Sequence, residues 1–156
     1  YLYRLFGLPK RAFTVGGRLS GLELDVEDTA STLLEYEGPR SRWPVHVHQD
    51  YLQRPPARTC QVIGDAGKLL VDFAAPTFRR YDASGTLAEE RTFPDFARNQ
   101  LFLDELRHVL ACLEGRETPQ VTVRDGAQSL RIALAAKQSL ETGQAVELDA
   151  VGSMAA

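Results

Sequence analysis

The apolar residues change period once along the chain, and that change restricts the fold more than any other feature. Through the first two thirds they come in short runs that alternate with polar residues, the pattern of strands. In "EDTASTLLEYEG", Ala30, Thr32, Leu34 and Tyr36 alternate with Thr29, Ser31, Leu33 and Glu35. In "WPVHVHQDYL", Trp43, Val45 and Val47 fall on one face and His46, His48 and Asp50 on the other. "RAFTVGGRLS" places Phe13 and Val15 on one side, with glycines marking a bend or a close approach. Arg58–Gly64 and Lys68–Phe73 read as a hairpin across the turn residues Asp65–Gly67. "TFRRYDASG" and "TLAEERTF" read as a second, more polar hairpin across Ala83–Gly85.

In the last third the spacing becomes helical. Phe102, Leu106, Val109 and Leu113 form one apolar stripe, with Asp95 expected to cap its start and Gly115 and Pro119 to end it. A second helix is expected to open at Thr122, with Asp125 three residues on as in a capping box, and to stop at Gly143. Its apolar arc is wide: Leu130, Ala133 and Leu134 on one side, Ile132, Ala136 and Leu140 further round. "QAVELD" reads as a short closing strand. The order is therefore a helix end, a run of strands, two helices and one strand. This predicts an α+β fold, a mostly antiparallel open-faced sheet with helices packed on one face. The uncovered face carries apolar side chains and is expected to pair with a second copy of the chain, giving a homodimer.

Composition excludes several roles. Eighteen Lys and Arg against 21 Asp and Glu leave a net charge of −3 in 156 residues. No basic surplus exists to displace counterions, so nucleic acid is not an expected partner. No apolar run is long enough to span a bilayer as a helix. The two cysteines, Cys60 and Cys112, form no CxxC pair, which argues against a thiolate zinc site. Read as free thiols they fit a reducing compartment and a cytoplasmic protein, although a disulfide between them stays open. Neither is read as having a histidine beside it.

A few residues could carry chemistry. His46 and His48 point the same way on a strand, about 7 Å apart, which permits shared metal ligation. A metal would need a third ligand, and the sequence offers none at that spacing; the alternative is two polar side chains lining a cleft or a subunit contact. Arg54 and Arg58 flank two prolines and could grip a carboxylate or phosphate, or else pair with acidic neighbours on a surface loop. "VGGRLSG" lacks the strand–turn–helix setting of a phosphate cradle. There is no GxSxG elbow. Residues Tyr1–Phe6 read as the last turn and a half of a helix closed by Gly7 and Pro9. Such a stub suits the downstream part of a larger protein, or the processed start of a complete domain.

"YLYRLFGLPKR", "LELDVEDTAS", "VHVHQDYLQRPPARTCQVIGDAGKLLVDF" and the closing "DG…L…A…S…G…V.L" at Asp125–Leu148 resemble, in order and spacing, the C-terminal domain of the glucose–fructose oxidoreductase / inositol dehydrogenase / rhizopine-catabolism (Gfo/Idh/MocA) family. The resemblance runs from Tyr1 to about Leu148. It implies a ferredoxin-like or dihydrodipicolinate-reductase-like α+β domain over residues 1–149, a flexible tail over 150–156, and a Rossmann domain for NAD or NADP outside this chain. It also implies that the Tyr1–Phe6 stub ends the helix that bears the family's catalytic histidine. The parent protein is expected to be an NAD(P)-dependent oxidoreductase of a sugar, polyol or related hydroxy compound. By the same resemblance this chain supplies the substrate-pocket wall and the oligomer contact, with His48, Tyr51, Arg54 and Arg58 on the ligand side. It would hold no nucleotide and no acid, base or nucleophile of its own. The alternatives are a stand-alone small-ligand or dimerisation module without catalysis, and a metal-dependent β-protein using His46 and His48.

Overall fold

The computed structural model describes residues 1–148, so the expected tail lies outside the described residues. The chain divides into two compact units, one formed by residues 1–52 with the chain from Gln120 onward, the other by Gln53–Pro119. The α+β class is as the sequence predicts, but the strands build two four-stranded antiparallel sheets, each in its own unit.

In the first unit α1 (Leu2–Phe6) ends at Gly7, whose φ of 75° is open to glycine at no steric cost. There follow β1 (Arg11–Gly17), β2 (Thr29–Glu37) and β3 (Arg42–Asp50), then α3 (Val123–Thr142) and the short β8 (Val146–Glu147). The sheet order is β3-β2-β1-β8. The alternation read from β2 holds: Thr32, Leu34 and Tyr36 are buried, Leu33 exposed. Register carries that alternation across the sheet, aligning Ala12 with Leu34 and Val45, and Thr14 with Thr32 and Val47, on one face. Those rows face a core of Ala12, Leu34, Tyr36, Ala135, Val146 and Leu148, flanked by Phe6, Trp43 and Ile132. Tyr36 stacks on Trp43 at 4.6 Å between ring centroids, and Phe6 meets both edge-on.

Helix α3 begins as its sequence dictates. Thr122 Oγ1 accepts from the Asp125 amide while the Asp125 carboxylate accepts from the Thr122 amide, and Gly143 closes the helix in the left-handed region. Its buried side is narrower than the wide arc expected: Ala135 and Ser139 are buried, Ile132, Ala136 and Leu140 half-buried, Leu130 and Leu134 exposed. Small residues set this side because the helix approaches β1 closely. The Ser139 hydroxyl accepts from the Thr14 amide at 2.9 Å and donates to the Gln144 carbonyl at 2.6 Å. It thereby closes the edge of β1 where β8 stops pairing.

The loop from β1 to β2 is tied by Asp28. Its buried carboxylate accepts from the Leu19 and Ser20 amides and from the Ser20 hydroxyl. The Ser20 hydroxyl first, and then the Leu19 amide, hold it at a pKa of about 2.

In the second unit β4 (Thr59–Gly64) and β5 (Gly67–Asp72) form the first expected hairpin. β6 (Thr77–Tyr81) and β7 (Leu87–Thr92) form the second, in the order β4-β5-β6-β7. Gly67 has φ 128°, and a Cβ there would meet the Tyr81 carbonyl oxygen at 2.0 Å, so only glycine fits this turn.

Helix α2 (Arg98–Leu113) departs from expectation at two points. Ala97, not Asp95, precedes it, and no side chain caps it, because Asp95 is taken up in a turn in which the Phe96 amide donates to the Phe93 carbonyl. The stripe Phe102, Leu106, Val109 and Leu113 is exposed, while Ala111 is buried and His108 and Cys112 are half-buried. Periodicity shows that a helix forms but not which of its sides is sheltered. No helix among the described residues is long and apolar enough to cross a membrane.

Candidate functional site

The face of the first sheet opposite its core presents four cross-strand rows. Arg11, Glu35 and Pro44 form the first, Phe13, Leu33 and His46 the second, Val15, Ser31 and His48 the third, Gly17, Thr29 and Asp50 the fourth. Its character therefore grades along the strands. At one end Glu35 bridges Arg11 at 2.7 Å and Arg42 at 3.1 Å. The Arg11 hydrogen bond, against the opposing effect of partial burial, holds the Glu35 carboxyl below the usual carboxylate range. In the middle Phe13, Val15 and Leu33 are exposed apolar side chains.

At the other end lies a connected polar chain. The Ser31 hydroxyl is 2.8 Å from His48 Nδ1, and His48 Nε2 is 3.1 Å from an Asp50 carboxylate oxygen. The other Asp50 oxygen accepts from the Leu52 amide at 2.7 Å. Asp50 is thus fixed, its side chain only 5% exposed, whereas 42% of the His48 side chain stays accessible. The tautomer with Nε2–H donated to Asp50 leaves Nδ1 to accept the Ser31 hydroxyl proton. This is a base oriented by a carboxylate and joined to a hydroxyl, the parts of a proton relay. β2 lies between β1 and β3, so its own amides are taken up by the two ladders and are not left to stabilise a developing oxyanion. The arrangement suits hydrogen bonding and proton exchange with a hydroxylic ligand.

The expected ligand-side residues are divided between the two units. His48 sits in the relay, and Tyr51, 60% exposed, follows it with its amide bound to the Asp28 carbonyl at 3.0 Å. Arg54 and Arg58 belong to the second unit. There Arg54 donates to the Gln53 carbonyl at 2.9 Å, and the Arg58 guanidinium lies 5.4 Å from the centre of the Phe73 ring. Sequence reasoning missed Ser31, since only the β2–β3 register, Ser31 opposite His48, brings it to the histidine. Among the described residues no group of three or more His, Cys, Asp and Glu side chains is arranged to hold a metal ion.

The glycine-rich stretch does not fit a dinucleotide. Gly16 lies within β1, and a Cβ there would meet the Thr29 carbonyl oxygen at 2.1 Å, so this glycine serves strand packing and leaves no room for a pyrophosphate.

Over residues 2–148 the chain matches the family described as "Oxidoreductase family, C-terminal alpha/beta domain". Among curated proteins none matches it. Several solved structures share its fold. An oxidoreductase from Agrobacterium radiobacter, in complex with NAD+, L-tartaric acid and magnesium, aligns with a TM-score of 0.74 at 15% identity, over 96% of this chain and 46% of that one. The WlbA dehydrogenase from Bordetella pertussis, in complex with NADH and UDP-GlcNAcA, aligns with a TM-score of 0.67 at 21% identity, over 94% and 40%. A protein from Klebsiella pneumoniae aligns with a TM-score of 0.69 at 22% identity, over 94% and 46%. The chain spans less than half the length of these structures, and at such identities the likeness is one of fold.

Proposed function

The chain belongs to the oxidoreductase family whose C-terminal alpha/beta domain it matches, the Gfo/Idh/MocA group, and from that premise we propose that it works within an NAD(P)-dependent oxidoreductase. That enzyme moves a hydride between a nicotinamide ring and a hydroxyl-bearing carbon of a sugar, polyol or related acid. The match over residues 2–148 carries this reading. The neighbours solved with L-tartaric acid and with UDP-GlcNAcA support a hydroxyl-bearing substrate.

In such an enzyme this chain's residues bind and orient; the nucleotide is held elsewhere. The polar end of the outer sheet face, Ser31, His48 and Asp50 with Tyr51 beyond it, forms a wall of the substrate site. His48 offers a substrate hydroxyl a hydrogen bond whose direction Asp50 fixes. Arg54 and Arg58, in the second unit, are separate candidates for an anionic group. The apolar rows through Phe13, Leu33 and Val15 meet a second copy of the chain, whose association removes them from water. Two free cysteines suit the cytoplasm.

The test is turnover by the full-length protein of a panel of polyols, sugars and hydroxy acids with NAD+ or NADP+, followed by nicotinamide absorbance. Turnover is expected, and His48→Gln should raise KM about tenfold with a smaller fall in kcat, as for a group that binds substrate. No turnover with either nucleotide, or an unchanged KM in the variant, contradicts the respective part.

A further inference from the structure

Helix α2 carries a second nucleophile–base–acid chain that the oxidoreductase reading does not use. Cys112 lies one helical turn after His108, on the same side of the helix, and its Sγ is 3.6 Å from His108 Nε2. The other ring nitrogen, Nδ1, is 2.5 Å from a carboxylate oxygen of Glu117, in the turn that follows the helix. Contrary to the expectation that neither cysteine has a histidine beside it, the helical spacing of four brings His108 to Cys112. Both Cys112 and His108 are half-buried. The nearby arginines are held by their own partners, Arg107 by Asp104 at 2.8 Å and Arg116 by Glu114. Glu117 is thus a charged group engaged with the imidazole.

We propose that Cys112 is a primed thiol, a site of covalent modification by small disulfides and other soft electrophiles, with His108 as its base and Glu117 as the group that orients the imidazole. One tautomer serves both contacts: Nδ1–H is donated to Glu117, and Nε2 faces the thiol. His108 takes the thiol proton, and the sulfur lone pair attacks one sulfur of a small disulfide. The disulfide bond breaks as the new S–S bond forms, and the departing thiolate takes the proton back from His108. The products are a mixed disulfide at Cys112 and one free thiol. The Glu117 carboxylate stabilises the imidazolium formed on the way. Cys60, in β4, is the internal comparison: it is also free and half-buried, and among the described residues it has no histidine partner.

The test uses the whole chain, with both thiols reduced, and two probes: iodoacetamide between about pH 5 and 9, and oxidised glutathione near neutral pH. Peptide mass spectrometry reads each cysteine separately. At about pH 6.5 Cys112 is expected to alkylate about tenfold faster than Cys60, and to be the first to form the glutathione mixed disulfide. His108→Gln should bring Cys112 to within about twofold of Cys60. Glu117→Gln, an exposed position, should slow Cys112 several-fold without loss of helical circular dichroism. If His108→Gln unfolds, Glu117→Gln decides. Equal rates at the two cysteines, a Cys112 rate that His108→Gln leaves unmoved, or an unchanged rate in Glu117→Gln overturns the proposal.

Discussion

Replacing Ser139 by alanine removes one hydroxyl and should cost the first unit a large part of its stability. Ser139 is fully buried on α3, and its hydroxyl serves two backbone groups at once. The Thr14 amide belongs to a residue only 3% exposed, so no water replaces the lost acceptor; a buried, unsatisfied donor costs about 1–3 kcal/mol. The Gln144 carbonyl belongs to an exposed residue, so water takes over and the loss there is about 0.5–1.5 kcal/mol. Together these give about 1.5–4.5 kcal/mol. With a urea dependence of about 2 kcal/mol per molar, the midpoint should fall by about 1–2 M. Fluorescence isolates the event, because Trp43 is the one tryptophan and packs against Phe6 and Tyr36 in the first unit. The exposed neighbour Thr142, whose hydroxyl donates to the Gln138 carbonyl, provides the control, and Thr142→Ala should cost under about 1 kcal/mol. A loss below about 0.5 kcal/mol for Ser139→Ala would refute the idea that this hydroxyl closes the β1 edge.

Two further perturbations test the loop and the outer face. Asp28 is held in its charged form, with its pKa lowered from 3.8 to about 2, so the stability it lends is complete above the unfolded value and fades as the pH falls from about 4 through 2. Asp28→Asn should flatten the acid side of the Trp43 unfolding curve in that window, and an identical slope in both proteins would contradict the clamp. Leu33→Asp places a charge between Phe13 and His46 on the exposed face, where it leaves the core untouched and opposes association. Sedimentation should show the parent chain as a dimer at tens of micromolar and the variant shifted to monomer by at least about tenfold in Kd; a monomeric parent chain argues against the face as a contact.

The parts legible in the sequence were those set by neighbours along the chain. Thr122, Asp125 and Gly143 mark both ends of α3 because capping is settled within a turn of helix. Asp65 to Gly67 marks the first hairpin because the turn needs a glycine that can approach Tyr81. What escaped depends on partners distant in sequence. The division of the strands between two sheets is not written in any one strand's alternation. Ser31 joins His48 only through the β2–β3 register, and α2 shelters its Ala111 side in place of the more apolar Phe102–Leu113 stripe. The His108–Cys112 pair is the exception: four residues make one helical turn, so its spacing is local and legible in the sequence. The polar relay also shows why a histidine pair on a strand is ambiguous. His46 shares a row with Phe13 and Leu33, and His48 one row on is bound to Ser31 and Asp50.

The division of labour proposed for this domain is tested most directly by titrating NADH and NADPH into the 156-residue chain and following the heat. If its residues supply a wall and a contact surface while the nucleotide is held by other parts of the enzyme, no saturable binding should appear up to about millimolar nucleotide. A saturable isotherm with a Kd of about micromolar would place the cofactor site within these residues and contradict the account.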